Sequence, residues 1–152
     1  MLFVFLLFLL GGCQQGLKVN YVEGIVTLDG VPVEAADVSF VPPETVDLSD
    51  LTGPVLGSGR TDANGKFTIS TFRGSKVDAG TTIGNYTVTI VKKELANPPT
   101  GPVEGAYMPR WLYHVPKIFE DSLDSPIKIE VVKGKNTFTV ALKGDGTFEV
   151  TK

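Results

Sequence analysis

The chain has 152 residues, 42% of them apolar, with 14 basic and 17 acidic side chains for a net charge of −3. Ten of the apolar residues crowd into the first twelve positions, MLFVFLLFLLGG, and no later stretch approaches the roughly 20 that span a bilayer as a helix, which excludes a polytopic helical membrane protein. The absence of a dense basic run excludes an electrostatic footprint for nucleic acid, and the single cysteine, Cys13, excludes an internal disulfide and any Cys-based zinc or iron–sulfur site.

Residues 2–10 form an apolar run of nine, the length of a signal-peptide core. Only the amino group of Met1 stands where such leaders carry a positive segment. The run ends in Leu10-Gly11-Gly12-Cys13, which resembles the bacterial lipobox, where small residues precede a cysteine that is acylated and becomes the mature N-terminus. The resemblance implies a signal peptide over 1–12, lipid attachment at Cys13, and a short tether over 13–18. It implies an exported protein held by its lipid at the cell envelope, on the periplasmic face or at the outer membrane. Gln14, which is not Asp, is compatible with sorting to the outer membrane in a Gram-negative cell. Several acyl chains supply more than the two hydrophobic signals that stable anchoring needs.

Beyond the leader the composition leans to strands, with 19 Val and 15 Thr against 7 Ala and 2 Gln. The segment 21–28 places Val22, Val26 and Leu28 on one parity and stops at Asp29-Gly30, a strong two-residue hairpin signal. Pro32 cannot donate a ladder hydrogen bond, so Val31-Pro32-Val33 reads as an edge or a strand start. Val38 to Val41 is the next strand, closed by Pro42-Pro43, and 44–56 is a polar, acidic connection. Asp62-Ala63-Asn64-Gly65 marks a second hairpin leading into Lys66–Thr71, with Phe67 and Ile69 inward. Gly84 to Val91 repeats the alternation with Tyr86, Val88 and Ile90 on one face. Residues 94–125 hold five of the ten prolines and read as one long irregular loop. Strands return over 127–131, 136–142 and 147–150. The expected fold is all-β, an antiparallel Greek-key sandwich of seven or eight strands occupying 19–152.

Three blocks then resemble the carboxypeptidase regulatory-like domain, a transthyretin-like sandwich. They are Gly24-Ile25-Val26 with Pro32-Val33-Glu34-Ala35-Ala36-Asp37-Val38, then Thr61-Asp62-Ala63-Asn64-Gly65-Lys66-Phe67, then Gly84-Asn85-Tyr86-Thr87-Val88. Val115-Pro116-Lys117-Ile118-Phe119 and Val132 to Phe138 are similar to the tail found in small bacterial lipoproteins. Ala35 stands where the family usually has Gly. The resemblance implies a non-catalytic module with a structural or binding role. Fold alone does not carry a function, so the sites need their own argument.

Catalytic residues are sparse. His114 is the only histidine, no Gly-x-Ser-x-Gly elbow is present, and a packed or surface histidine is the expected role in Trp111-Leu112-Tyr113-His114-Val115-Pro116. Asp62-Ala63-Asn64-Gly65 and Gly144-Asp145-Gly146 read as turns rather than calcium loops, because the twelve-residue spacing and terminal Glu are missing. Glu120-Asp121 with Asp124 reads as solvated surface. No enzyme activity, metal or cofactor is expected; a cryptic hydrolase using His114 or a carboxylate pair is the remotest alternative. Tyr107, Arg110, Trp111 and Tyr113 are the candidate ligand-binding residues, since aromatic side chains on a proline-stiffened loop can stack on sugar rings or anchor a protein partner. The reading favoured over this is a packed lid that caps the open end of the sandwich. The partners expected are the membrane through Cys13 and an envelope protein or polysaccharide.

Overall fold

A computed structural model describes residues 17–43, 53–102 and 105–152. The leader, Cys13 and most of the acidic connection 44–56 therefore lie outside the described residues, and Leu17 and Lys18 precede the first strand. In chain order the described residues form β1 (Val22–Leu28), β2 (Val31–Pro32), β3 (Asp37–Val41), β4 (Gly57–Arg60), β5 (Lys66–Thr68), β6 (Ser70–Arg73) and β7 (Lys76–Ala79). There follow β8 (Gly84–Val91), β9 (Lys93–Leu95), β10 (Trp111–Tyr113), one 3-10 turn (Lys117–Phe119), β11 (Lys128–Val131), β12 (Asn136–Leu142) and β13 (Phe148–Thr151).

The fold is all-β, with antiparallel sheets in a sandwich-like arrangement compatible with an immunoglobulin- or transthyretin-like domain. One sheet runs β13-β12-β1-β2, with β5 also pairing β1; the other runs β11-β8-β3-β4-β6-β7. Among the described ladders β1 and β12 alone pair in parallel, from Val22 opposite Asn136 to Leu28 opposite Leu142. Parallel neighbours need a crossover, and here the intervening chain, which builds the other sheet, serves as one.

Alternation decides which residues fill the space between the sheets. Val22 and Val26 of β1, Phe67 of β5, and Phe138, Val140 and Leu142 of β12 face Val38 and Phe40 of β3 and Tyr86, Val88 and Ile90 of β8, all buried. Phe40 sits at the centre, its ring 5.8 Å from Tyr86 in its own sheet and 6.4 and 6.3 Å from Phe67 and Phe138 across the sandwich. Tilted aromatic packing of this kind adds about 0.5–1.5 kcal/mol per pair beyond burial. Gly24 admits it: a Cβ there would lie 2.4 Å from the Phe138 carbonyl oxygen and 2.6 Å from the Phe67 ring.

The Asp29-Gly30 turn forms with φ of 50° and 81°, the doubly left-handed geometry of a type I′ hairpin. Pro32 does lie at the sheet edge. Two expectations change. Lys66–Thr71 is not one strand: β5 pairs β1, whereas β6 pairs β4 and β7, and the chain changes sheets at Ile69. Ile69 is fully buried at this crossing, its N–H donating to Val22 and its carbonyl accepting from Gly80. Both sheets need an apolar residue at the corner, so the alternation continues unbroken and conceals it. The Asp62–Gly65 turn exists, closed by Asp62 N–H to Lys66 O at 2.8 Å, yet it links strands of different sheets.

The second change concerns 94–125, which is not wholly irregular. It contributes to the β9–β10 ribbon, supplies the 3-10 turn, and returns along β8 through Ser125, whose hydroxyl donates to Val88 O at 2.6 Å. Phe119 is fully buried, edge-on to Phe148 at 6.1 Å, so the segment seals the core flank.

Candidate functional site: an aromatic ribbon

The ribbon begins where β8 ends. Trp111 pairs with Leu95, Leu112 with Glu94, and Tyr113 with Lys93. Hydrogen bonds Ala96 N–H to Arg110 O at 2.8 Å and His114 N–H to Lys92 O at 2.9 Å close its two ends. Alternation puts Trp111 and Tyr113 on one face with Lys93 and Leu95, and Leu112 with Glu94 on the other. The Lys93 ammonium lies 5.2 Å from the Trp111 ring centre and 5.8 Å from that of Tyr113, and it also pairs with the Glu120 carboxylate. Lys117 approaches Tyr113 at 5.7 Å.

The hydrogen bond to Glu120 is the main cause holding Lys93 above the usual lysine range. A lysine so held stays charged and is unsuited to proton abstraction at neutral pH; it serves as a fixed cation between two rings. Trp111 nonetheless remains 45% exposed, which leaves ring surface for a ligand. Beside the ribbon, Tyr113, Lys117, Ile118, Glu120, Asp121 and Asp124 line a groove.

Of the four candidate ligand-binding residues, the fold unites two. Tyr107 is half-buried and its hydroxyl donates to Asn97 O at 2.7 Å, so it braces the loop. Arg110 is exposed just before β10, and alternation sends it to the side opposite Trp111. Asn97 was not singled out by sequence, yet it ties the ribbon's open end: its Oδ1 accepts from Arg110 N–H at 2.8 Å and its Nδ2 donates to Met108 O at 3.2 Å. Lys93 and Glu120 were likewise hidden, because their roles depend on partners 18 to 27 residues away.

His114 is a surface residue whose Nε2 lies 3.1 Å from Glu94 Oε1. In the acidic run, Glu120 pairs with Lys93, and Asp121 accepts from Leu123 N–H at 2.8 Å. Among the described residues no group of three or more His, Cys, Asp or Glu is placed to hold a metal, and no helix is long and apolar enough to cross a membrane.

The ribbon's position follows from strand direction. The N-terminal segment enters at Asn20, which bridges Thr81 shortly before β8 starts, whereas the ribbon leaves β8 at its far end. At about 3.3 Å per residue the eight-residue β8 separates the two by about 25 Å. Comparison with protein-family models, with curated proteins and with solved structures finds no match for this chain.

Proposed function

We propose that this chain is a lipid-anchored module of the cell envelope, a carboxypeptidase regulatory-like sandwich that acts by binding or as a structural element and not by catalysis. The observation that carries the reading is the separation of its two ends. Acylation at Cys13 would hold the Asn20 end near the bilayer, and the Trp111–Tyr113 face would then point away from it, toward envelope components. Order and spacing of the three family-like blocks support the finer identity.

Trp111 favours a second, narrower reading, in which the ligand is a carbohydrate or other envelope polymer. A half-exposed indole beside Tyr113 offers stacking area at low entropic cost. Two measurements test these readings. Intact-mass determination of the purified protein should show a chain beginning at acylated Cys13; one still beginning at Met1 without modification would end the anchoring argument. Retention on immobilised polysaccharide and peptidoglycan should drop with Trp111→Ala, and unchanged retention removes the polymer reading.

A further inference from the structure

The end of the sandwich where the N-terminal segment enters carries its own surface chemistry. Strand β6 runs antiparallel to β4, with Ser70 opposite Ser58, so the β6–β7 hairpin extends toward this end. On it Phe72 and Val77 pair across the strands, 63% and 60% exposed. Two adjacent, solvent-facing apolar side chains on one ribbon are a poor arrangement in water. The next pair outward is Arg73 opposite Lys76, which alternation directs to the other face of the hairpin, so two basic residues stand at its tip beyond the apolar pair.

The neighbouring features repeat that pairing of apolar and basic groups. Ile83, just before β8, is 52% exposed, and Tyr21 is 39% exposed with the Lys135 ammonium 5.8 Å from its ring centre. Lys18 and Lys133 are exposed at the same end. Of the nearby acids, Glu23 and Asp78 are matched, by Lys135 at 2.7 Å and by Arg73 at 3.6 Å, and Glu130 of β11 is exposed. Half-exposed aromatic and aliphatic groups ringed by Lys and Arg suit a bilayer interface, where apolar bodies sink below the headgroups and long cationic side chains reach lipid phosphates.

We infer that this end, led by the β6–β7 hairpin, docks directly on an anionic phospholipid surface. The inference rests on lipidation at Cys13. Asn20 lies seven positions beyond Cys13, and at up to about 3.5 Å per position the segment reaches at most about 24 Å. An acylated chain is thereby held within a domain's width of the bilayer, and it is this face, not the ribbon, that the short tether turns toward the lipid. Docking would fix the orientation and present Trp111 outward.

The test uses the purified full-length lipoprotein reconstituted in vesicles of phosphatidylglycerol and phosphatidylethanolamine containing brominated acyl chains. The wild-type chain has one tryptophan, Trp111, at the far end. Its fluorescence should be unaffected by the bromines, while F72W in a W111F background should lose much of its emission. That loss should be smaller in phosphatidylcholine vesicles and at high salt. Acylated protein that floats with vesicles while F72W stays bright overturns docking and leaves anchoring intact. So does quenching of wild-type Trp111 in place of F72W. An unacylated chain that fails to float overturns the anchoring reading and docking together. Both substituted positions are exposed, and an unchanged thermal midpoint checks that the variant is folded.

Discussion

Four hydrogen-bond contacts converge on the Tyr86 hydroxyl. Its ring is buried, and its oxygen lies 2.9 Å from both Thr82 O and Thr82 Oγ1, 3.2 Å from Thr81 Oγ1, and 3.3 Å from Val55 N. Removing it takes the Tyr86 donor from Thr82 O, while Val55 N, Thr81 Oγ1 and Thr82 Oγ1 keep their other partners. Tyr86→Phe should therefore cost about 1–3 kcal/mol in denaturant unfolding, despite keeping the ring. Ala35 has φ of 56°, a left-handed conformation that an L-residue pays for by roughly 1–2 kcal/mol. Ala35→Gly should accordingly raise stability by about 0.5–1 kcal/mol, the relieved strain exceeding the flexibility gained. Glu23 bears on pH: its hydrogen bond from Lys135 holds the carboxyl below the usual glutamate range. Because the folded value is depressed, the pair's contribution is present above the ordinary value and is lost as pH falls through the folded one. Thermal midpoints should show wild type slightly above Glu23→Gln at neutral pH and low salt. The gap should close in acid, and it should shrink with salt because the pair is exposed.

At the scale of elements, the ribbon and the corner at Ile69 separate local from non-local information. Val22, Val26, Phe67, Tyr86 and Ile90 were legible as inward-facing because alternation is a property of neighbouring residues. The parting of β5 from β6 was not, since both sheets want Ile69 buried. The ribbon strands β9 and β10, three residues each, are too short for a periodic signal and lie among prolines. Asn97 supplies what propensity does not, and its loss should act locally. In Asn97→Ala, hydrogen-exchange protection at Ala96 and His114 should fall markedly, while protection in β8 and β12 and the midpoint for global unfolding should change little. Loss of protection throughout the sandwich would mean that the ribbon is part of the cooperative core.

For the whole molecule, the proposed function depends on which end faces the membrane. Cys13→Ser should shift the protein from the membrane fraction to the soluble fraction. Its far-ultraviolet circular dichroism should not change, because the sandwich is built from residues well beyond position 13. A variant that stays with membranes through washing at high salt would show that something other than the lipid holds it. Of the candidate site, Trp111 and Tyr113 stood out in the sequence together with Tyr107 and Arg110 as residues of one aromatic loop. Their partners Lys93 and Glu120 did not, since a lysine after a strand and an acid in a loop have no local mark that they will meet.

Composition, alternation and turn residues were enough to establish an all-β chain, its core-facing residues, the Asp29-Gly30 hairpin and the edge position of Pro32. Each of these is decided by interactions within a few residues along the backbone. The parallel pairing of β1 with β12, the change of sheets at Ile69, the lysine held between two rings and the opposition of the Asn20 end to the ribbon end arise only on assembly. They depend on segments up to 115 residues apart, such as Asn136 donating to Tyr21, and long-range pairing is chosen by which surfaces bury one another.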